Sequence, residues 1–412
     1  MIPYNHQVTI ASDAYGILAS YGMVYLAMEE RTGKTLTAIV LAEMTTRTNV
    51  LVLTKKKALD GWYETLDSYS GDKGRYGEDG LLHWELCGNT TFTVTNYHQA
   101  VKLRKGYDLI ILDESHSYLS AYPKRGTIWK SVSRLTKEQP LIYLSATPYA
   151  QGYQLLYNQL GLSSWSPFKQ YKNFYRFFDI FGIPEKVRTS YGLQETYKKC
   201  KPVVWDKCKH LFITYTRKEL GFEHEPEDIL HYFELSESTK TVYNDCLSTE
   251  LFSTGELTFP LDSSMKLRTT LHQLEGGVAK DDMEGYHVLP NKEKIDAILR
   301  DFGDTEDTVI MYHYKAELIK LRATFSRTRL LQATSYAEGV DLSSYSNLVI
   351  YSQDFSTARH SQRRARQANK ERRDPINVHF YLVEGGISDQ VYKTVSINKT
   401  NFVDSVFNKE RL

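Results

Sequence analysis

Residues 26–35 read Leu26-Ala27-Met28-Glu29-Glu30-Arg31-Thr32-Gly33-Lys34-Thr35, and the fold prediction starts from this stretch. An apolar run leads into it and an amphipathic run, residues 34–43, follows it, which predicts a strand, a tight loop and a helix. The first N–H groups of a helix have no partner within it and carry partial positive charge, so such a loop favours phosphate. In the usual phosphate loop the lysine reaches the β- and γ-phosphates and the next hydroxyl ligates Mg²⁺, which assigns these roles to Lys34 and Thr35. The first glycine of the usual pattern is missing, because Met28 stands in its place.

A second motif supplies the carboxylates that a phosphate loop needs. The apolar run 109–112 predicts a buried strand, and Asp113-Glu114-Ser115-His116 follows it directly. Ligands of open α/β sheets bind at the carboxyl ends of the strands. We therefore assign Asp113 to the Mg²⁺ ion and Glu114 to the water that attacks the γ-phosphate. Ser145-Ala146-Thr147-Pro148 follows another apolar run, 32 residues after Asp113. The three segments together predict ATP hydrolysis.

The apolar runs predict an α/β fold. They are short and separated by amphipathic stretches, which is typical of strands in a doubly wound parallel sheet. The candidate strands are residues 23–28, 49–54, 91–95, 109–113, 141–145, 309–312, 330–333, 348–351 and 378–383. Between the two groups, aromatic residues from Phe168 to Phe178 recur at helical spacing. We interpret this stripe as a helical core, with a base-stacking platform as the alternative.

This pattern predicts three parts. Residues 1–163 form an N-terminal ATP-binding lobe, residues 164–290 a mostly helical insertion and linker, and residues 291–412 a C-terminal lobe. Both lobes are predicted to be doubly wound parallel sheets covered by helices.

Composition restricts the classes of function. The chain has 412 residues with 51 Lys+Arg and 50 Asp+Glu, and this balance excludes a uniformly basic, histone-like protein. It leaves room for a local basic groove. The four cysteines show no C-x-x-C spacing, which argues against a structural zinc site. We recognise no signal sequence and no run of about 18 apolar residues, so we expect a cytoplasmic protein with no membrane segment.

The ordered motifs resemble those of superfamily 2 helicases, in particular the Swi/Snf-like branch that includes small phage and bacterial helicases. Six segments resemble the family's motifs in order: the Q-motif at residues 4–7, the phosphate loop at 26–35, motif Ia at 52–56 with Trp62, motif Ib at 95–97, motif II at 113–116 and motif III at 145–148. Arg31 stands where the family usually has a glycine.

The resemblance implies a role for each matched residue in this part of the chain. Nucleotide binding falls to Gln7, which would read the adenine, and to Arg31, Thr32, Gly33, Lys34 and Thr35. Coupling between nucleotide and DNA falls to His116, Ser145 and Thr147. Contacts with the DNA backbone fall to Thr54, Lys56, Thr95 and Asn96.

The last part of the chain resembles the family's second lobe. Residues 214–220 resemble the segment ahead of that lobe, and the remaining matches are motif IV at 311–321, motif V at 337–342 and motif VI at 362–366. The resemblance implies a DNA contact from His313 and nucleotide contacts from Gly339, Asp341 and Gln362.

Motif VI departs from the family pattern. Ala365 replaces its glycine, and Asn369 stands at its second arginine. We therefore assign the transition-state arginine to Arg366, which matches the first arginine, with Arg363 or Arg364 as substitutes.

The resemblance implies two RecA-like lobes and an ATP-dependent DNA helicase or translocase that uses Mg²⁺. ATP would be hydrolysed at a cleft between the lobes, in replication, recombination or repair. The partner would be duplex or branched DNA bound without sequence preference, and we expect a monomer. Two alternatives stay open: the motor subunit of a restriction or remodelling complex, targeted by a protein partner, and a nucleotide-gated DNA-binding module with little turnover. The compact motor suggests a viral protein acting in the host cytoplasm.

Overall fold

The computed structural model describes residues 1–412 except 87–88, 150–151, 190–191, 256, 284, 334–341, 369–371, 373, 400, 403–405 and 408–412. The chain forms two compact units, Met1–Gly221 and Phe222–Leu412. The segment predicted as a separate insertion is shared between them. Phe212–Ile213 pairs within the sheet of the first unit, and Pro226–Tyr232 pairs within the sheet of the second. The predicted boundaries near residues 163 and 290 therefore do not coincide with the division into two units.

An eight-stranded sheet forms the centre of the first unit. The strands of this unit are β1 (Met23–Leu26), β2 (Asn49–Thr54), β3 (Arg75–Tyr76), β4 (Leu82–Leu86), β5 (Thr90–Asn96), β6 (Leu109–Asp113), β7 (Leu141–Leu144), β8 (Glu185–Thr189), β9 (Gly192–Thr196) and β10 (Phe212–Ile213). The order in the sheet is β10-β1-β7-β6-β2-β5-β4-β3, and β8 and β9 form a separate hairpin. Strands β10 to β5 of this order are parallel, whereas β4 and β3 are antiparallel to their neighbours.

Helices cover the central strands, which are buried on both faces. The helices of the first unit are α1 (Asn5–Tyr21), α2 (Lys34–Met44), α3 (Leu59–Ser70), α4 (Ser115–Leu119), α5 (Thr127–Thr136), α6 (Leu155–Leu160), α7 (Phe174–Phe181) and α8 (Val203–Cys208). Phe168, Phe174 and Phe178 are buried in the same core as strand residues such as Leu53 and Tyr143. The interpretation of the aromatic stripe as core is confirmed for Phe168, Phe174 and Phe178, although Phe168 lies in the turns before α7 and Tyr175 is 42% exposed.

A five-stranded sheet, parallel throughout, forms the centre of the second unit. The strands of this unit are β11 (Pro226–Tyr232), β12 (Leu251–Thr254), β13 (Leu257–Pro260), β14 (Val278–Lys280), β15 (Tyr286–Val288), β16 (Thr308–Tyr312), β17 (Arg329–Gln332), β18 (Asn347–Ile350) and β19 (Ile376–Leu382). The order in the sheet is β11-β19-β18-β16-β17, while β12–β13 and β14–β15 form two hairpins. The helices are α9 (Glu237–Thr249), α10 (Ser264–Glu275), α11 (Glu293–Phe302), α12 (Lys315–Arg322), α13 (Thr357–Arg364) and α14 (Ile387–Tyr392).

The predicted fold class, α/β with two parallel sheets, is confirmed. The predicted strand at residues 49–54 agrees with β2 residue for residue, because its apolar run is bounded by polar turns on both sides. The middle of the chain differs from a mostly helical segment, since three β-hairpins lie between β7 and β16 alongside the helices. Among the described residues, no helix combines the length and the apolar character that crossing a bilayer requires.

Candidate nucleotide site and nucleic-acid contacts

Parallel strands bring the motif loops of the first unit to one edge of the sheet. The neighbours β1, β7, β6 and β2 end respectively at the phosphate loop, Ser145, Asp113 and Thr54. Because all four strands run in one direction, their carboxyl ends share an edge, which is the ligand-binding edge of open α/β sheets. The backbone of Ser145 donates to Leu26 O at 3.3 Å and so ties the end of β7 to the end of β1.

The phosphate loop has a backbone shape that requires a glycine before the helix. Gly33 has φ of 81°, in the left-handed region, and a Cβ at this position would lie 2.1 Å from Gln7 Nε2. Arg31 is also left-handed, with φ of 67°, a conformation that a residue other than glycine adopts at a cost of about 1 kcal/mol. The unpaired N–H groups at the start of α2 thus lie directly after a tight loop, as phosphate binding requires.

Lys34 contacts its own loop. Its Nζ donates to Met28 O at 2.9 Å and to Glu29 O at 2.7 Å. Burial lowers the pKa of Lys34, and the nearby carboxylates of Glu30, Glu114 and Asp113 oppose that change. The ammonium group therefore lies at the loop, and phosphate oxygens would replace the two carbonyl oxygens when a nucleotide binds.

Gln7 is also attached to the loop. Its Nε2 donates to Gly33 O at 3.2 Å, its Oε1 accepts from Tyr4 N at 2.9 Å, and the residue is 3% exposed. Both polar groups of the Gln7 side-chain amide therefore have hydrogen-bond partners within the protein. In this conformation Gln7 fixes the N-terminus of α1 to the phosphate loop, and reading an adenine would require it to exchange these bonds.

Asp113 is held by three side chains from other elements. Thr54 Oγ1 donates to its Oδ2 at 2.7 Å, and Trp62 Nε1 donates to the same oxygen at 2.9 Å. Tyr97 donates its hydroxyl to the backbone oxygen of Asp113 at 2.8 Å. Burial and the neighbouring carboxylate of Glu114 raise the pKa of Asp113 to about 6, while Trp62 and Thr54 lower it. The free lone pairs of a carboxylate fixed in this way can serve a cation.

Motifs II and III are joined by hydrogen bonds. His116 Nδ1 lies 2.7 Å from Ser145 Oγ, and Thr147 N donates to that same oxygen at 3.0 Å. Glu114 Oε2 lies 3.5 Å from His116 Nδ1 and 3.6 Å from Lys55 Nζ. The structure thus brings together all three residues predicted to couple the motifs, and it adds Lys55 to the surroundings of Glu114.

The magnesium assignment fits the donor set at this edge. Mg²⁺ is usually held by one or two carboxylates together with substrate phosphates and water, and it prefers oxygen donors. Asp113 offers a carboxylate and Thr35, in the first turn of α2, offers a hydroxyl. Within the described part of the chain, no group of three or more His, Cys, Asp or Glu side chains forms a dedicated metal cage.

The residues predicted to contact DNA differ in exposure. Lys56 is exposed at the end of β2. Asn96 is half-buried, and its Oδ1 accepts from His98 N at 3.1 Å, which caps the following turn. Thr95 is 4% exposed. Thr54 is fully buried and donates its hydroxyl to Asp113, so the predicted backbone contact is corrected to support of that carboxylate.

His313 also differs from its predicted role. In the second unit it follows β16, where its Nδ1 lies 3.2 Å from an Nη2 of Arg363 and 3.8 Å from Asp354 Oδ2. Arg363 donates to Asp354 Oδ2 at 3.0 Å. Burial and the Arg363 guanidinium lower the pKa of His313 to about 4. His313 therefore belongs to an internal ion-pair cluster, which replaces the exposed DNA contact expected from motif IV.

The arginines of motif VI have different surroundings. Arg364 donates to Asp228 Oδ1 at 2.6 Å and to Pro226 O at 2.9 Å, which fixes α13 to β11. Arg363 is 1% exposed and pairs with Asp354. Arg366 and Gln362 are 9% and 7% exposed, in the turn after α13 and in α13 respectively. Gly339 and Asp341 lie outside the described residues.

Several residues of the first site are given no role by the sequence analysis. Arg217 lies beside the phosphate loop, with its backbone N–H donating to Glu29 Oε2 at 2.8 Å. Tyr25 lies under the site, its hydroxyl 2.7 Å from Ser115 Oγ and donating to Gln159 Oε1 at 2.9 Å. Thr54 ends β2 and Trp62 lies in α3, which follows that strand, and this proximity in the chain is the one local hint that both meet Asp113.

Comparison with known proteins gives one family match. Residues 20–150 match the family described as type III restriction enzyme, res subunit. This range contains the phosphate loop and the segments at Asp113 and Ser145, so the resemblance to superfamily 2 helicases is confirmed for this part of the chain. No curated protein matches.

Solved structures give two further likenesses. The SWI2/SNF2 ATPase core of Sulfolobus solfataricus in complex with dsDNA is 15% identical, with a TM-score of 0.43, and the match covers 100% of this chain and 96% of that one. The core domain of the same protein is 13% identical, with a TM-score of 0.42 and coverage of 97% and 90%. At these values the likeness carries no functional argument.

Proposed function

We propose that this chain is a DNA-dependent ATPase of the Swi/Snf-like branch of superfamily 2, a helicase or translocase that uses ATP and Mg²⁺ to move along or remodel DNA. The observation that carries the proposal is the group formed by Lys34, Asp113, Glu114, His116 and Ser145 at one sheet edge. A phosphate loop beside a fixed carboxylate and a water-polarising carboxylate is the arrangement that phosphoryl transfer requires.

Each residue has a defined part in the proposed reaction. Lys34 and the N-terminus of α2 hold the β- and γ-phosphates. Thr35 and Asp113 would hold Mg²⁺, which neutralises charge on those phosphates when it is bound. Glu114 orients the attacking water, and its carboxylate lies 3.6 Å from Lys55 Nζ and 3.5 Å from His116 Nδ1. Arg366 is the proposed transition-state arginine, which in comparable enzymes contributes about 10³–10⁵ in rate.

DNA binding is proposed to be independent of sequence. Lys56 and Asn96 lie at the same sheet edge as the nucleotide site, where they could contact a phosphate backbone. Such contacts position a protein on DNA and make its affinity depend on salt. The link from His116 to Ser145 and Thr147 offers a route by which the state of the nucleotide changes these contacts. Replication, recombination and repair are the processes proposed for the motor.

Phosphate release with and without DNA tests the proposal. We expect stimulation by DNA in the wild type and a loss of at least about 100-fold in turnover for Lys34→Ala and for Glu114→Gln. Lys73→Ala and Glu78→Gln are matched controls, since both residues are exposed and remote from the motifs, and they should retain turnover. If DNA does not stimulate phosphate release by the wild type above the level of the two site variants, the motor function is refuted.

The kind of nucleic acid separates the remaining candidates. A helicase is expected to respond to single-stranded and forked DNA, and a duplex translocase to double-stranded DNA. Stimulation by RNA alone would overturn the DNA assignment. Arg366→Ala should lose turnover while it retains nucleotide binding, and near-normal turnover in this variant would remove Arg366 from the site.

The match to the res subunit family favours one second candidate, a motor subunit of a restriction complex. If DNA stimulates phosphate release only when a protein partner is added, this second candidate is supported.

A further inference from the structure

Two adjacent carboxylates lie in the phosphate loop itself. Glu29 and Glu30 immediately precede Arg31 in the loop that is to receive a polyanionic nucleotide. Like charges a few ångströms apart repel one another, and the repulsion is stronger near a protein surface than in bulk water. A phosphate site with two unbalanced carboxylates would therefore bind its ligand weakly, so something must neutralise them.

Arg217 contacts both carboxylates. Its backbone N–H donates to Glu29 Oε2 at 2.8 Å, and its Nε lies 3.8 Å from the same oxygen. Its Nη1 donates to Glu30 O at 3.3 Å and lies 3.8 Å from Glu30 Oε2. The side chains of Arg217 and Glu30 are 11% and 15% exposed, so solvent screens this pair much less than a surface ion pair.

Glu29 connects Arg217 to the lysine of the loop. The carbonyl oxygen of Glu29 accepts from Lys34 Nζ at 2.7 Å and from Thr32 Oγ1 at 2.7 Å. Its amide donates to Tyr215 O at 3.0 Å. One residue thus contacts Lys34 through its backbone and Arg217 through its side chain, so a shift at Arg217 reaches the ammonium group through a single residue.

The segment that carries Arg217 is itself held firmly. After β10, the parallel pairing with β1 continues, since Ala27 N donates to Ile213 O at 2.8 Å. Glu219 Oε2 accepts from the amide and the hydroxyl of Thr216 at 2.7 and 2.8 Å, which closes the turn around Arg217. The guanidinium is therefore presented to the loop by a fixed backbone.

We propose that Arg217 is a positioning residue of the phosphate loop, which neutralises Glu29 and Glu30 and so sets the affinity for the nucleotide. The proposal rests on the proposed function only in taking a nucleoside triphosphate as the ligand. It gives a role to the segment 214–220, to which neither catalysis nor DNA binding assigns one.

The test measures binding of a fluorescent, slowly hydrolysed ATP analogue with Mg²⁺ to the full chain. Arg217→Ala is expected to weaken binding by about tenfold or more, because it leaves two carboxylates facing the phosphates. Arg217→Lys keeps the charge and should fall between wild type and Arg217→Ala. Lys218→Ala removes a cation from the neighbouring exposed position and should bind like wild type.

A second substitution separates neutralisation from a purely structural role. If Arg217 acts by neutralising charge, adding Glu30→Gln to Arg217→Ala restores most of the affinity, and Glu30→Gln alone binds at least as tightly as wild type. If Arg217 only supports the fold, Glu30→Gln restores nothing and the melting temperature falls in parallel with affinity. Either that pattern or wild-type affinity in Arg217→Ala overturns the proposal. Because binding is measured without turnover, a wild type that binds the analogue but lacks DNA-stimulated hydrolysis would refute the motor function alone.

Discussion

The carboxyl edges of the two parallel sheets carry charged residues that serve different purposes. At the edge of the first sheet, Lys34 follows the phosphate loop after β1, and Asp113 and Glu114 lie at the end of β6, with β7 between the two strands. The side chains that bond to the Asp113 carboxylate are uncharged, and Lys55 lies 3.6 Å from Glu114. At the edge of the second sheet, Asp354 and Arg363 form an ion pair inside the unit, and the uncharged imidazole of His313 lies beside it. The first edge is the proposed ligand site, whereas most of the described basic side chains around motif VI have partners within the second unit.

This difference shows why an arginine-rich motif cannot be read as a row of equivalent ligand contacts. Arg363 and Arg364 each have a carboxylate partner within the unit. Arg372 donates to the backbone oxygens of Ser343 and Tyr345 at 2.8 and 3.1 Å. Arg359 precedes the motif, and with a side chain 61% exposed it is the most solvent-accessible of the described ion-paired arginines in this region.

The largest expected effect comes from breaking the buried pair in the second unit. Arg363→Ala leaves Asp354, which is 4% exposed, without its closest cation, and such a loss costs about 3–5 kcal/mol of folding free energy. Arg359→Ala is the matched control, because Arg359 contacts the same carboxylate from the surface and should cost about 1 kcal/mol or less. Urea unfolding followed by circular dichroism measures both. Equal stability of the two variants, with turnover lost only in Arg363→Ala, would instead make Arg363 the transition-state arginine.

The second-largest expected effect is a loss of stability of the second unit at acid pH. Burial and nearby arginines lower the pKa of His313 to about 4 and that of His360 to about 3, against an ordinary value of 6.5. The unfolded chain then binds protons below pH 6.5 that the folded chain does not, so stability falls as the pH falls from 6.5 towards 4. Each unit of pKa difference is worth about 1.4 kcal/mol, so between pH 6.5 and pH 4 each histidine lowers the free energy of unfolding by up to about 3 kcal/mol.

Unfolding at a series of pH values checks this expectation. His360→Gln should reduce the slope of stability against pH between 6.5 and 4 while keeping a hydrogen-bonding side chain beside Gln353 and Ser396. A slope unchanged in this variant would place the acid sensitivity elsewhere.

A smaller effect tests the support of Asp113 in the first unit. Thr54→Val removes one hydrogen bond to the carboxylate at nearly constant volume, which costs about 1 kcal/mol and should slow ATP turnover about fivefold. DNA affinity should stay the same, since Thr54 is buried. Thr65→Val serves as control, because the Thr65 hydroxyl bonds to the carbonyl of Gly61 within α3. Loss of DNA affinity with normal turnover would restore the original assignment of Thr54 to DNA.

The smallest effect concerns the exposed lysine at the same edge. Lys56→Ala should lower DNA affinity for all sequences alike and reduce the slope of log affinity against log salt by about 0.9, the value for one phosphate contact. Titrations of labelled duplex DNA at several salt concentrations measure the slope, with Lys73→Ala as control. An unchanged slope would remove Lys56 from the DNA contacts.

The sequence predicts the first edge well because its signals are local. A run of apolar residues followed by Gly33-Lys34-Thr35 or by Asp113-Glu114 specifies both the strand and what lies at its end. Since parallel strands share an edge, the loops are predicted to converge before any contact is known. Ser145 of motif III likewise lies beside His116, because β7 is the neighbour of β6 in the sheet.

What the sequence does not predict depends on contacts between distant residues. Thr54 and Asp113 are 59 positions apart, and Arg217 and Glu29 are 188 apart. The hydrophobic periodicity of the sequence carries no information about such distant pairs. From the sequence, Thr54 is therefore assigned to a DNA contact and Arg217 is given no role. His313 reads as a DNA contact for the same reason, because its partner Arg363 lies 50 positions away. The chain has 30 tyrosines. Three of them, Tyr25, Tyr97 and Tyr143, are fully buried and donate their hydroxyls to groups at or below the site.

The hydrogen bond from the indole of Trp62 to Asp113 gives the first unit an intrinsic optical reporter. The ring is 2% exposed and its N–H points at the carboxylate assigned to the metal. Indole emission responds to the electric field across the ring, so a proton or a cation arriving at Asp113 changes the wavelength at which Trp62 fluoresces. With Trp62→Phe as the blank for the other four tryptophans of the chain, stopped-flow fluorescence can follow occupancy of the site in real time, without a label attached to nucleotide or DNA.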